Sequence, residues 1–124
     1  MRSRKIKEAI LIAIISVVSY WPSFNADFTF DDRPAILENK DVTTEWDLKN
    51  LSNRLQQIFQ HDYWGSRIRD HSTSHKSYRP LTVLTFSLDS LVSKHLIESD
   101  EKPKLSPIPF HFHNLVLHLS LIHI

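Results

Sequence analysis

The strongest constraint in the sequence is an apolar run from Ala9 to Val18, continued through Tyr20 and Trp21 to Phe24 and preceded by Arg2, Arg4, Lys5 and Lys7. Its uninterrupted core is about ten residues, against the roughly 20 of a spanning helix, so a signal-peptide hydrophobic region competes with a membrane anchor. No small-x-small cleavage pattern follows the run, because Tyr20, Trp21, Pro22 and Phe24 are the wrong sizes. Tyr20 and Trp21 instead suit the aromatic belt of a membrane interface, and Lys5 and Lys7 can snorkel to lengthen the span. An uncleaved anchor is therefore expected, with the N-terminus in the cytosol and Asp27 onward on the luminal or outer side, since the basic residues precede the run.

Composition narrows the chemistry. Fifteen basic and 14 acidic residues leave a formal charge of +1, which implies no nucleic-acid partner. The absence of cysteine excludes disulfides, thiolate zinc sites and a cysteine nucleophile, and a single glycine excludes a glycine-rich phosphate loop. Acid, histidine, arginine and hydroxyl chemistry remain.

From Asn25 to Pro109 the chain is polar, with two stretches at helical spacing. In the first, Leu48, Leu51, Leu55, Ile58 and Phe59 mark an amphipathic helix near 45–60, and Thr44 with Asp47 resembles a capping box. In the second, near 80–97, Leu81, Leu84, Leu88, Leu91, Val92 and Leu96 form one stripe, with Pro80 at the first helical position. Seven polar residues interrupt that helix, so it is expected at or under a membrane surface rather than across it. Between the two, His61–Tyr78 reads as an exposed loop with a turn at Gly65, or as a site in which His75, Lys76 and Arg79 gather at a helix N-terminus suited to an anion. Asn50-Leu51-Ser52 is the only glycosylation triplet.

Lys102–Pro109 carries three prolines and reads as irregular; Phe110–Ile124 is apolar apart from histidines and single Asn and Ser residues. His111, Asn114 and His118 share one helical face, while His113 and His123 point elsewhere. That face reads as a polar stripe toward other membrane helices, and no metal site is expected, because a third ligand and a His-Glu-x-x-His spacing are lacking. The run ends without flanking charges, as a truncated reading frame would. The fold expected is mainly α and membrane-bound: residues 1–8 a cytosolic N-terminus, 9–24 a first transmembrane helix, 25–109 a luminal loop with amphipathic surface helices, and 110–124 the start of a truncated second transmembrane helix.

Three groups of residues carry a resemblance. Asp27-Phe28-Thr29-Phe30-Asp31-Asp32, followed by Ala35-Ile36 and Asn39-Lys40-Asp41, is similar to the first luminal loop of the TMTC family, the transmembrane and tetratricopeptide-repeat O-mannosyltransferases. His61-Asp62-Tyr63-Trp64-Gly65-Ser66 and the run from Ser74 through Arg79 to Phe86 resemble that loop more specifically, nearest to the fourth paralogue type. Phe112-His113-Asn114-Leu115-Val116-Leu117-His118 resembles the start of its second membrane helix. The family implies a multi-pass endoplasmic-reticulum membrane enzyme with a GT-C glycosyltransferase domain. It transfers mannose from the lipid-linked donor dolichyl-phosphate mannose to Ser or Thr of acceptor proteins of the cadherin type. Two departures stand out: a charged, proline-containing stretch from His95 to Pro109 replaces a shorter Gly-containing link, and everything after the second helix is missing.

Such a transfer needs a base near the acceptor hydroxyl and cations near the departing phosphate. Asp31 or Asp32 supplies the base on this reading; a plain turn built by the two acids is the alternative. If Phe28–Asp32 is extended, the two carboxylates point to opposite sides. Asp32 is then the cap of a short helix at Ala35-Ile36-Leu37, and Asp31 is preferred for the chemistry. Arg79, whose fork can hold two phosphate oxygens, is the expected phosphate ligand with Lys76 and His75 beside it; an ion pair with Asp31 or Asp32 is its competing role. No metal or other cofactor is expected. A non-enzymatic membrane-anchored adaptor, or an inactive remnant with a luminal partner-binding loop, is the alternative from another class.

Overall fold

A computed structural model describes residues 2–96 and 105–122. All regular elements among them are helical, and the one strand-like pairing is an isolated antiparallel bridge between His61 and Arg67. Two units divide the chain, residues 28–106 forming one and the two flanking ends forming the other.

In the unit formed by the ends, α1 (Arg2–Tyr20) runs into a 3-10 turn at Trp21–Asn25. The helix starts earlier than the expected position 9, because Arg, Lys and Glu are good helix formers and Arg4 pairs with Glu8 one turn on, Nε to Oε1 at 2.8 Å. The continuous stretch Arg4–Asn25 is 22 residues long and is, among the described residues, the one helix long and apolar enough to cross a membrane. At ~1.5 Å per residue it matches a hydrocarbon core of ~30 Å. α5 (Ile108–Ile122, 15 residues) packs on α1 and is shorter than a full span. His118 lies with its ring 5.2 Å from that of Tyr20, and His111 Nε2 is 3.4 Å from the Ala26 carbonyl oxygen. The expectations for position 97, for the proline-containing segment at 102–104 and for His123 lie outside the described residues.

The other unit has a small apolar core, Ala35, Ile36, Val42, Ile58, Val83 and Leu105, surrounded by an unusual number of buried polar groups. A single wide π-type turn at Arg33–Leu37 leads to α2 (Lys40–Thr43), a one-turn helix capped by the Asn39 side chain, which accepts from the Asp41 amide. A helix this short would be unstable alone. Two cations complete its C-terminal end, where most carbonyls lack intrahelical donors; only that of Lys40 also accepts from the Thr44 amide. Arg54 Nη2 donates to the carbonyls of Lys40 and Asp41, both at 2.9 Å, and to that of Thr44 at 3.3 Å; Lys94 Nζ donates to Thr43 at 2.6 Å. Burial pushes the Arg54 guanidinium below its ordinary value, with Asp41 opposing the shift.

Two expectations for this unit are corrected. The first loop helix is α3 (Leu51–Gln60), preceded by a 3-10 turn at Leu48–Asn50, rather than one helix from 45. Its entry is capped by Asp47, whose carboxylate accepts from the Lys49 amide at 2.9 Å; Thr44 ends α2 instead of starting a capping box. Trp46, between them, is drawn inward, its indole N–H donating to Ser87 Oγ at 2.8 Å.

The second helix, α4 (Pro80–Leu96), begins at Pro80 as expected, and Arg79 precedes it with its carbonyl accepting from Val83. Its inner face is the reverse of the one the leucine stripe suggests. Val83, Ser87, Ser90 and Ser93 are buried, whereas Leu81, Leu88, Val92 and Leu96 are exposed. Small serines let α4 approach α2 closely, and Ser87 and Ser93 have donors waiting in Trp46 and the Ser106 amide.

Candidate functional site

The acid pair lies in a turn and not in an extended strand. The Asp32 amide donates to the Thr29 carbonyl at 2.7 Å, and the Asp32 carboxylate accepts from the Thr29 amide at 2.9 Å, so the turn is closed from both directions. Asp32 stands at the entry of the Arg33–Leu37 turn without making a side-chain cap to it. Its carboxylate is already committed backwards, which is why the expected cap does not form. Asp31 is exposed, and its carboxylate has no hydrogen-bond or ion-pair partner among the described residues. Phe30, between Thr29 and Asp31, holds φ at +25° and is 93% exposed. A bulky side chain rarely adopts positive φ, so the turn that presents Asp31 is held under strain.

In the same unit, the Tyr63 ring is met by Arg79, Trp64 and Phe86. The Arg79 guanidinium stands 5.2 Å from the centre of the Tyr63 ring in cation–π geometry. Trp64 and Phe86 meet the same ring edge-on, at 4.9 and 6.1 Å. Burial pushes the Tyr63 phenol up; Arg79 pulls it down, and the charges of Asp32 and Asp31 push it up again. Arg79 makes no ion pair with Asp31 or Asp32, so that competing role is not realised, and its guanidinium remains exposed. His75 is joined to this group through Trp64, at a ring distance of 6.4 Å. Lys76 is exposed in the left-handed region at φ +56°, its amide bonded to Ser74 Oγ. Asn50 stands apart, at the start of α3, with its amide 3.3 Å from Asp47 Oδ2.

The loop carrying Tyr63, Trp64 and His75 is organised by Asp62, which is 1% exposed. Its carboxylate accepts from the amides of Trp64, Ser66 and His75 and from Ser74 Oγ. Burial raises its pKa, but these four donors stabilise the anion more, and the carboxyl is held below the usual range. Asn39 ties this loop to the segment that carries the acids, donating from Nδ2 to the Tyr63 carbonyl at 3.2 Å. Gly65 is required where Asn39 crosses, because its φ is +82° and a Cβ there would stand 2.5 Å from Asn39 Oδ1. Beside the loop, buried Asp41 pairs with half-buried His61, Oδ2 to Nδ1 at 2.6 Å.

No protein-family model matches the chain, and no solved structure is significantly similar to it. Curated relatives are similar over almost its whole length. The protein O-mannosyl-transferase TMTC3 of Homo sapiens is 40% identical over 118 residues, which is 95% of this chain and 11% of that protein. Protein O-mannosyl-transferase TMTC4 of Homo sapiens is 38% identical over 112 residues, 90% of this chain and 13% of the relative. The Tmtc3 protein of Drosophila melanogaster is 38% identical over 118 residues, again 95% and 11%.

The chain belongs to the TMTC family.

It spans about a tenth of the length of the curated TMTC relatives it matches. Identities to the third and fourth types are close, so they do not separate the paralogues. In this TMTC chain the residues that carry the resemblance are largely those that build the loop. Asn39, Asp41, His61, Asp62, Gly65 and Ser74 make the hydrogen bonds and the close approach described above. His61–Tyr78 reads from the sequence as an exposed loop or an anion site, and neither the organising role of Asp62 nor the position of Tyr63 is evident there. The available signal was the density of short polar residues around one acid, Ser66 and Ser74 above all.

Proposed function

We propose that this chain is the first membrane helix, the luminal loop and the beginning of the second membrane helix of a GT-C-type protein O-mannosyltransferase. The full-length enzyme sits in the endoplasmic-reticulum membrane with several spans, a cytosolic N-terminus and tetratricopeptide repeats beyond the membrane domain. It transfers mannose from dolichyl-phosphate mannose to Ser or Thr of acceptor proteins, cadherin-type domains among them. This stretch holds only part of such an enzyme and is inactive by itself. The observation that carries the reading is the similarity to the O-mannosyl-transferases over 95% of the chain, joined to an exposed, unpartnered Asp31 and an Arg79 held against Tyr63 with its fork free.

Asp31 is the base. It takes the proton of the acceptor hydroxyl as that oxygen bonds to the anomeric carbon of mannose; the bond from that carbon to the phosphate oxygen breaks, and dolichyl phosphate leaves with the electron pair. The exposed, unpartnered carboxylate supports this role for Asp31, and the Thr29–Asp32 closure supports a structural one for Asp32. Arg79 meets the departing phosphate, aided by Lys76 and His75; its fork suits two oxygens, and Tyr63 holds it without consuming its donors. A donor with one phosphate gives a divalent ion little to bridge, so the reading contains no metal. The test is transfer of labelled mannose from dolichyl-phosphate mannose to a Ser/Thr acceptor by the purified full-length protein. Transfer supports the reading; its absence with a competent acceptor removes it.

A further inference from the structure

A groove of about 580 Å³ lies on the loop unit, lined by Phe59, Gln60, Arg67, Ile68, Arg69 and Tyr78. None of these belongs to the base or phosphate set assigned above. Its walls are pinned to one another: the Ile68 amide donates to the Gln60 carbonyl at 3.1 Å, His61 and Arg67 form the antiparallel bridge, and Tyr78 Oη donates to the Phe59 carbonyl at 3.2 Å. A groove held open in this way is ready for a ligand before it arrives.

The lining has a definite chemistry. Phe59 and Tyr78 are 46% and 53% exposed and offer apolar surface. Arg67 and Arg69 are exposed, and neither has an ion-pair partner among the described residues. No carboxylate lines the groove, and the adjacent Asp70 accepts from Ser72 instead, through both its amide and its hydroxyl. Two unpaired arginines in a groove that also has an aromatic lining complement carboxylates set among apolar side chains. Gln60 adds a group that both donates and accepts, as a peptide backbone requires.

We propose that this groove docks an acidic stretch of polypeptide with apolar residues interspersed, contributed by the acceptor protein. The inference rests on the O-mannosyltransferase reading, in which Arg79, Lys76 and His75 already take the donor phosphate, leaving the second cationic site to the other substrate. The groove then selects among acceptors without touching the reacting atoms.

The test uses the full-length protein in neutral detergent and short fluorescent peptides containing Ser or Thr. In one peptide Glu alternates with Leu and Phe; in a second, Lys replaces Glu. The acidic peptide binds about tenfold or more tightly than the basic one, and Arg67→Glu/Arg69→Glu abolishes that preference. Both side chains are exposed, so the variant keeps the melting temperature of the parent. In transfer assays the same variant raises KM for the acidic acceptor while kcat and the KM for donor stay unchanged. Equal affinity for the two peptides, or a preference that survives charge reversal, overturns the proposal. Charge reversal that instead costs binding only to vesicles containing anionic lipid also overturns it, making the groove a lipid site. Failure of mannose transfer by the parent protein would remove the enzymatic reading, while peptide binding still decides the groove.

Discussion

Arg79 stands over the ring of Tyr63, 5.2 Å from its centre, and is not paired with either neighbouring acid. An arginine held by a π face keeps its N–H fork available, whereas one paired to a carboxylate does not.

Removing the fork should therefore cost donor affinity. Arg79→Ala is expected to weaken binding of dolichyl-phosphate mannose by the full-length protein at least tenfold, in line with the ~1.5–3 kcal/mol of a charge-assisted hydrogen bond. Tyr63→Phe, which keeps the ring, should leave donor affinity nearly unchanged, and Tyr63→Leu should weaken it. Titration of labelled donor measures both effects. Unchanged affinity in Arg79→Ala removes the phosphate role.

Asp62 should make the loop sensitive to acid. Its folded pKa is depressed, so its contribution to stability is present above the unfolded value of about 3.9 and is lost as pH falls through the lower folded value. Hydrogen exchange of the amides of Trp64, Ser66 and His75 in the full chain should thus accelerate, relative to intrinsic rates, only as pH falls below about 4. Asp62→Ala should abolish this protection at neutral pH, at a cost of ~3 kcal/mol or more for the donors left buried.

Gly65→Ala combines positive-φ strain with a clash on Asn39, and a loss of ~2 kcal/mol or more is expected. Asn39→Ala removes the clash but not the strain. The double variant should thus be less destabilised than the sum of the singles, a coupling that denaturation of the three proteins would measure.

The faces of α4 give a prediction opposite to the one its leucine stripe suggests. Ser87→Leu should destabilise by ~1–3 kcal/mol or more through overpacking and loss of the Trp46 acceptor. Leu88→Ser and Val92→Ser, on the exposed face, should change thermal stability little.

What the sequence made legible and what it concealed follow from the range of the forces involved. The apolar N-terminal helix, the start of α4 at Pro80 and the termination of α3 near Gln60 are local features, and periodicity with punctuation was enough to find them. The inner face of α4 was not legible, because it is chosen by a distant indole seeking Ser87 and by the close approach of α2, neither of which leaves a periodic trace. The turn at Thr29–Asp32 stood only as the alternative to an extended segment for a related reason: alternation along a short segment suggests a strand, while a carboxylate bonding back to an amide three residues earlier overrides it. For the site, the acids and Arg79 were recognisable as chemistry, yet the seat of Arg79 on Tyr63 needed the Asp62 and Asn39 hydrogen bonds that fold the loop. The apolar lining of the Arg67–Arg69 groove is drawn from three separated segments and has no sequence signature.

Topology has an independent check at Asn50, which is exposed at the start of α3. Full-length protein expressed in cells should carry a glycan there, seen as a mass shift lost in Asn50→Gln. A loop on the cytosolic face would show no shift.

The most direct test of the central claim is mannose transfer by the full-length protein with Asp31→Asn and Asp32→Asn measured separately. Loss of the base should lower kcat by about 10²-fold or more in Asp31→Asn with donor affinity retained. Asp32→Asn, which keeps an oxygen to accept from Thr29, should retain most of the activity. Full activity in Asp31→Asn would contradict the account.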